Sequence, residues 1–359
     1  MATPAFRLLR DRLKGSFIGA MVRPGLDELL AGSDFFDEVH VASSQGLMGP
    51  KRAAAKVRGR AYDTALLLTN SFSTALVTRL AFIPRRIGYD RDGRGMLLTD
   101  RLQPVRTGRG FAPVPMVEYY LRAAHAALGE DQTNGTPAKG STPIHPGLEL
   151  ALTPGQDAAA ERLLRTGGIT GLRPIALINP GGNNDAKRWP ADRFAIVAAH
   201  LACRGMDIAI NGSPGERDLV AEVARLTRRQ IESRSAVEAA GDAGASVIAE
   251  LPALGIAIGS LKGIVRRSAV MLTNDTGPRH IAAAFKIPTV TLFGPTDHRW
   301  TTLPSDGTPR ADLLADPTLP ESEVADDHPD RCRIDRIQPD AVIQAAESLL
   351  ARPSRTDHG

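Results

Sequence analysis

The chain has 359 residues, of which 42% are hydrophobic, 4% aromatic and 23% charged, with a formal net charge of +4. At about 150 residues per domain this length predicts two domains, and the ordinary hydrophobic and charged fractions exclude a disordered chain. Just two cysteines, Cys203 and Cys332, exclude a disulfide scaffold and a four-cysteine zinc site and fit a reducing compartment.

In chain order, Thr3 followed by Pro4, with Phe6, Leu9 and Leu13 at helical spacing, predicts an opening helix capped by Thr3. No apolar signal-peptide core precedes or overlaps it, and no apolar run reaches the ~18 residues of a spanning helix. Apolar runs at 16–22, 36–42 and 62–69 predict strands, and 50–60 and 71–82 predict helices on either side of the third. Residues 129–146, rich in Asp, Thr, Asn, Gly and Pro, read as a linker. A second alternating series comes next, with strands at 174–179, 206–211, 270–273 and 289–293 and helices at 191–204, 214–228, 260–267 and 277–285. Residues 230–250 read as irregular, and 339–351 as a closing helix. This pattern predicts an α/β protein of two doubly wound, Rossmann-like domains: 1–145 with the linker, then 146–338, with 339–359 as closing helix and tail. Ligands of such sheets sit at the carboxyl ends of strands.

Charge divides unevenly between the halves. Residues 1–120 hold 18 Lys and Arg against 11 Asp and Glu, whereas the remaining 239 hold 26 against 29. The first half therefore presents either a solvated basic face or a surface for an anionic partner, such as a phospholipid surface or a phosphorylated substrate. Nucleic acid is disfavoured, because Tyr62, Phe72, Phe82 and Tyr89 form no stacking motif and no recognition helix is evident.

Three strand-end loops carry candidate chemistry. In Leu272-Thr273-Asn274-Asp275-Thr276-Gly277-Pro278-Arg279-His280 a hydrophobic strand runs into a helix start. Free N–H groups and the helix dipole make that a ready anion site, which Gly277 lets a phosphate approach and Thr276 and His280 can extend. An N-capped turn, with Asp275 or Thr276 as the cap, explains the same residues without a ligand. In 179–190, Asn-Pro-Gly-Gly-Asn-Asn-Asp-Ala-Lys-Arg-Trp-Pro, the residues Gly181, Gly182, Asn183 and Asn184 tolerate the conformations that aim N–H groups at an oxyanion. Lys187 and Arg188 would add charge where a leaving diphosphate develops it; a flexible loop anchored by Trp189 is the alternative. The third loop, 212–217, holds Glu216, which could accept hydrogen bonds from ribose hydroxyls. No Walker A, dinucleotide fingerprint or nucleophile elbow occurs, and the eight histidines form no ligand-spaced helical pair. Asp90-Arg91-Asp92 has a spacing that metals use in some sugar transferases, but it lies among arginines in a short turn. No metal or cofactor is expected.

Together these stretches resemble glycosyltransferase family 9, the ADP-heptose:lipopolysaccharide heptosyltransferases, most nearly the type II enzymes. The resemblance is carried by 68–76 (Leu-Thr-Asn-Ser-Phe-Ser-Thr-Ala-Leu), 83–89 (Ile-Pro-Arg-Arg-Ile-Gly-Tyr) and 179–190, and most strongly by 273–284 and 293–297. Arg331-Cys332 before the last helix adds to it. It implies a GT-B type fold, two Rossmann-like domains facing a cleft, and metal-independent transfer of heptose with inversion from ADP-heptose to the lipopolysaccharide inner core. By the same resemblance Lys187 contacts the diphosphate, and Gly181, Asn183 and Arg188 belong to the donor loop. Glu216 holds the ribose, and Asp275, Thr276, Gly277 and His280 grip phosphates and heptose. Asn70 and Ser71 lie on the acceptor side, with Arg85, Arg86, Arg91 and Arg94 as candidates for the phosphates and carboxylates of a lipid-linked Kdo/heptose acceptor. The implied location is cytoplasmic, with transient contact to the inner-membrane surface. In the family a base-bearing Gly-Asp pair and the first strand precede a segment like Thr3-Pro4-Ala5. This sequence starts after that point, so it is expected to lack that strand and base, with Met1 an internal methionine of a longer reading frame. The alternatives are a nucleotide-sugar-binding or glycan-binding protein without turnover, and a related transferase using another glycan or a protein as acceptor.

Overall fold

The structure, a computed structural model, describes residues 1–107, 110–130, 147–182, 184–237 and 246–351. The chain divides into two compact units, Met1–Ala151 with Arg299–Asp306, and Leu152–His298 with Gly307–Gly359. The break thus falls at 151/152 instead of 145/146, and a short later segment belongs to the first unit. Nearly all of the expected linker, 131–146, lies outside the described residues.

Unit 1 comprises α1 (Thr3–Arg12), β1 (Gly19–Val22), α2 (Leu26–Leu30), β2 (Glu38–Val41), α3 (Gly49–Arg58), β3 (Thr64–Leu67) and α4 (Phe72–Leu80). After these come β4 (Arg85–Tyr89), β5 (Asp100–Leu102), β6 (Arg106–Thr107), β7 (Gly110–Phe111) and α5 (Met116–Ala127). β1 pairs with β2 and β3–β4–β5 form a second sheet, all parallel, while β6 and β7 make a small antiparallel ladder. Among the described residues nothing pairs with the remaining edges of β1 and β3. The expected cap of α1 is displaced by one residue: Ala2 is the N-cap, and the Thr3 hydroxyl instead accepts the Glu149 N–H at 3.2 Å. The core of unit 1 lies in separate groups, one around Ala53, Ala54, Val57 and Val77, another around Tyr89, Tyr119 and Ala123.

Unit 2 comprises α6 (Pro154–Thr166), β8 (Ile175–Asn179), α7 (Ala191–Cys203), β9 (Asp207–Ile210), α8 (Arg217–Val237), β10 (Ile248–Glu250) and α9 (Ile258–Arg267). It continues with β11 (Ser268–Asn274), α10 (Gly277–Ala284), β12 (Thr289–Phe293), β13 (Arg310–Leu314) and α11 (Pro339–Leu350). All six strands are parallel in the order β10-β9-β8-β11-β12-β13. Counted within the unit this is 3-2-1-4-5-6, the Rossmann order. β8 and β12 are buried at every position, as parallel strands covered on both faces must be. One continuous core joins Ile178, Val197, Ile210, Leu272, Leu292 and Val342.

Two expectations are corrected by these elements. The helix expected at 214–228 begins as a single 3-10 turn, Pro214–Glu216, and then runs as α8 to Val237. Of the stretch expected to be irregular, 230–237 is therefore helix, 238–245 lies outside the described residues, and β10 is an edge strand.

Candidate donor-binding and acceptor-side sites

The chain order of the unit 2 sheet reverses between β8 and β11, and there both strands end in glycine-bearing loops, 180–190 and 275–277. In an open parallel sheet the crevice at this switch point is where a ligand binds. Asn274, the last residue of β11 and fully buried, bridges the two loops. Its Nδ2 donates to the carbonyls of Pro180 (2.9 Å) and Gly181 (3.0 Å), and its Oδ1 accepts the Trp189 N–H at 3.3 Å. Trp189 in turn is clamped in the core, where its indole N–H donates to the Ile337 carbonyl at 3.0 Å and its ring meets Phe194 edge-on. Both ends of the Gly-rich loop are therefore held.

Glu216 fastens the same loop to the next one. One carboxylate oxygen accepts the Gly182 N–H at 2.8 Å, and the other accepts the Ser213 N–H (2.7 Å) and hydroxyl (2.8 Å). Burial opposes its ionisation, but these donors outweigh burial and hold the carboxyl below its ordinary value. A Cβ at Gly181 would overlap that carboxylate, so any larger residue there would push Glu216 off its donors. Arg188 is likewise engaged, with Nε donating to the Gly182 carbonyl at 2.8 Å and a terminal nitrogen bonding Asp185 at 2.6 Å. Lys187 is half-buried; its backbone N–H donates to the Asn184 carbonyl at 2.9 Å, while its ammonium makes no hydrogen bond or ion pair among the described residues. Asn183 lies outside the described residues.

At the end of β11, Thr276 is the N-cap of α10 by backbone conformation but not by side chain. Its hydroxyl turns back to Thr273 Oγ1 (3.2 Å) and the Asn274 carbonyl (3.4 Å), leaving the head of the helix without a side-chain cap. Gly277 is exposed, and a Cβ there would meet open space, so a ligand can come close to the backbone. Asp275 is drawn inward by Arg279 at 2.6 Å, both side chains being buried, and the Arg279 guanidinium lies over the Phe293 ring at 4.8 Å. The pair anchors the first turn. His280 is half-buried, its Nδ1 has no hydrogen-bond partner, and burial and then the Arg279 charge hold its imidazole well below the ordinary pKa of 6.5. The structure thus brings Gly182, Glu216 and Arg188 together through direct bonds, with Gly181 close against the Glu216 carboxylate, and places Thr276, Gly277 and His280 at the adjoining strand end.

In unit 1, Asn70 and Ser71 follow the carboxyl end of β3. Asn70 Oδ1 accepts from the Tyr119 hydroxyl (2.9 Å) and from Arg94 (3.2 Å), and Ser71 caps α4 by accepting the Thr74 N–H. The four arginines separate. Arg94 is fully buried and holds the carbonyls of Tyr89 and Thr69, so it shapes the loop that presents Asn70. Arg85 and Arg86 begin β4, at the opposite end of the parallel strands from Asn70. Arg85 bonds Asp100 (2.6 Å) and the Ala126 and Ala127 carbonyls, while Arg86 bonds the carbonyls of Ile83, Pro84 and Leu97. Both are committed within the unit, Arg85 to a carboxylate and two carbonyls and Arg86 to three carbonyls. Arg91 lies near Tyr119, the partner of Asn70, with its guanidinium 3.8 Å from the Phe111 ring centroid. Asp90, the first carboxylate of the Asp-x-Asp spacing, packs against Gly95, where a Cβ would overlap it.

Asn274, Tyr119 and the pairing of Asp275 with Arg279 are additions that the sequence does not single out. An amide side chain at the end of an apolar strand is the one sequence signal that marks Asn274, since buried it needs partners for all its polar atoms.

A six-stranded parallel sheet with loops of this kind at its switch point defines a nucleotide-binding Rossmann-type unit. The sequence profile of glycosyltransferase family 9 (heptosyltransferase) matches residues 51–310, and the chain belongs to that family, a family of transferase enzymes. Lipopolysaccharide heptosyltransferase 2 of Escherichia coli is 29% identical over 310 residues, 84% of this chain and 80% of that protein. Lipooligosaccharide heptosyltransferase 2 of Haemophilus influenzae is 26% identical over 261 residues, 72% of this chain and 68% of that protein. Among solved structures, a glycosyl transferase family 9 protein of Veillonella parvula superposes with a TM-score of 0.77 at 20% identity, covering 97% of this chain and 92% of that one. E. coli ADP-heptose LPS heptosyltransferase II gives 0.72 at 22% identity, covering 97% and 94%. The fold class, α/β of GT-B type, is that of these structures. No helix of the described residues is long and apolar enough to cross a membrane.

Proposed function

We propose that this chain transfers heptose from ADP-heptose to the lipopolysaccharide inner core, with inversion and with charge supplied by side chains and a helix terminus in place of a metal. The observation that carries the reading is the meeting, at the switch point of the unit 2 sheet, of a helix head with no side-chain cap and a glycine loop bearing Lys187, a cation unpaired among the described residues. The diphosphate sits at the head of α10, against Gly277 and Thr276, with His280 donating one turn in. Lys187 stabilises the charge that grows on the leaving diphosphate. Glu216 exchanges part of its loop bonding for ribose hydroxyls, and Gly181, Asn183 and Arg188 shape the donor loop.

In the reaction the acceptor hydroxyl oxygen bonds to the anomeric carbon while the bond from that carbon to the diphosphate oxygen breaks. The electron pair leaves on ADP and the hydroxyl proton passes to a base. Asn70 and Ser71 orient the acceptor, and Arg91 is the arginine retained for its anionic groups. The test supplies the purified chain with ADP-heptose and a heptose-bearing Kdo-lipid A. A mass gain of one heptose on the acceptor is expected. Donor binding without transfer to any acceptor would replace the reading with that of a nucleotide-sugar-binding protein, and transfer to a different acceptor alone would overturn the acceptor assignment.

A further inference from the structure

The turn between β2 and α3 carries two adjacent apolar side chains that the unit does not bury. Leu47 is 98% exposed and Met48 46%, and Gly46, at φ +74°, makes the bend that projects them. A single exposed Leu is ordinary, whereas a consecutive pair at a loop tip forfeits hydrophobic stabilisation twice. The start of α3 is equally costly for the fold. Lys51 and Arg52 stand exposed in its first turn, which has no acidic residue, so two cations face the positive end of a helix dipole. Neither has an ion pair among the described residues. The turn is not loose, because Ser44 Oγ lies 3.2 Å from Ser73 Oγ and ties it to the first turn of α4 beside Asn70 and Ser71. Phe72, which opens α4, is itself 44% exposed.

Apolar tip plus adjacent cations is the arrangement that suits an anionic bilayer surface, where the tip enters the acyl boundary and the cations meet lipid phosphates. We infer that Leu47 and Met48, with Lys51 and Arg52 behind them, form a membrane-docking element for an anionic lipid surface. The basic balance of residues 1–120 supports the same partner. The inference deepens the proposed function and rests on it in one respect, that the acceptor is lipid-anchored, since the element adjoins the loop that presents Asn70 and Ser71.

Co-sedimentation of the full chain with vesicles tests it, using phosphatidylethanolamine with one quarter phosphatidylglycerol against pure phosphatidylcholine. The native chain is expected to partition onto the anionic vesicles, and added salt to release it. Leu47→Asp with Met48→Asp lowers that partitioning by roughly 30-fold or more, and Lys51→Gln with Arg52→Gln by about fivefold per charge removed. Transfer to an acceptor stripped of its acyl chains serves as the second measurement, and both double variants are expected to keep it while losing transfer to vesicle-borne acceptor. Equal partitioning by the native chain and the Leu47/Met48 variant overturns the inference, as does failure of the native chain to bind anionic vesicles. Vesicle binding in the expected order without transfer to either acceptor supports docking and refutes the transferase reading, so the two failures are distinguishable.

Discussion

Lys187 is the residue on which the proposed chemistry leans most, because the neighbouring charges are committed: Arg188 to Gly182 and Asp185, Arg279 to Asp275. Lys187→Ala is expected to lower turnover by roughly 10²–10³, the usual loss of one preorganised donor at a developing charge. Steady-state kinetics would check it, and an unchanged rate would remove Lys187 from the step. Asn274 acts through others. Asn274→Ala strips two carbonyls and one N–H of their partner in a buried setting, which should cost about 1–3 kcal/mol in denaturant unfolding. It should also raise KM for the donor more than it lowers turnover at saturation, since the Gly-rich loop loses its tether. His280 gives a pH signature. Its folded pKa is depressed below 6.5, so between the two values the unfolded chain binds the proton and the folded one does not. Stability from the neutral ring is therefore complete above 6.5 and declines as pH falls, by at most about 1.4 kcal/mol per pH unit. His280→Gln should flatten that slope in melts recorded between pH 5 and pH 7.5.

Elements differ in how plainly their sequences declare them. β8 and β12 announce themselves as continuous apolar runs because both faces are covered, and the helix starts at Ala191 and Gly277 follow from proline and glycine at strand ends. β13, Arg-Ala-Asp-Leu-Leu, has no such run; its strand character comes from pairing with the edge of β12, a contact no local pattern contains. α6 has a readable start, the capping box of Thr153 and Gln156 with Pro154 at the first turn. Arg85 and Arg86 look in sequence like ligands for anions, an adjacent pair of cations after a proline, yet they open β4 and bond carbonyls from Ile83 to Ala127. Partners such as Ala126 and Ala127, 41 and 42 residues beyond Arg85, are invisible before folding. The glycine loops are legible for the opposite reason, since backbone N–H groups act wherever strand gives way to helix. Trp189 links these two kinds of knowledge: its place in the loop is readable, but its clamp on Ile337 is not. Trp189→Ala should cost about 3–5 kcal/mol, the usual range for deleting a buried large aromatic, and release the loop that Asn274 holds, which a loss of donor affinity at unchanged secondary structure would register.

For the whole molecule, the two units offer different backbones to solvent. Unit 2 pairs each internal strand on both sides and holds a continuous cluster that runs from Ala176 to Leu349. Unit 1 carries a pair and a triplet of parallel strands, so that edges of β1 and β3 are unpaired among the described residues, and its core lies in separate groups. Amide protection follows how many contacts must break to open a segment. Hydrogen exchange should therefore be slowest in β8, β11 and β12 and clearly faster in β1 and β3, whose outer N–H groups need no global opening. Adding ADP turns this contrast into a test of where the nucleotide binds. At about 100 times its dissociation constant a ligand stabilises the state it binds by ~2.7 kcal/mol. That gain should appear as slowed exchange at 180–182, 186–189, 213–217 and 274–281, the segments joined through Asn274 and Glu216. Exchange in β3 and β4 should not change, because ADP makes no use of Asn70 or Arg91 in the proposed arrangement. Slowing confined to unit 1 would place the nucleotide on the basic half instead, and with it the anion that the uncapped head of α10 is proposed to hold.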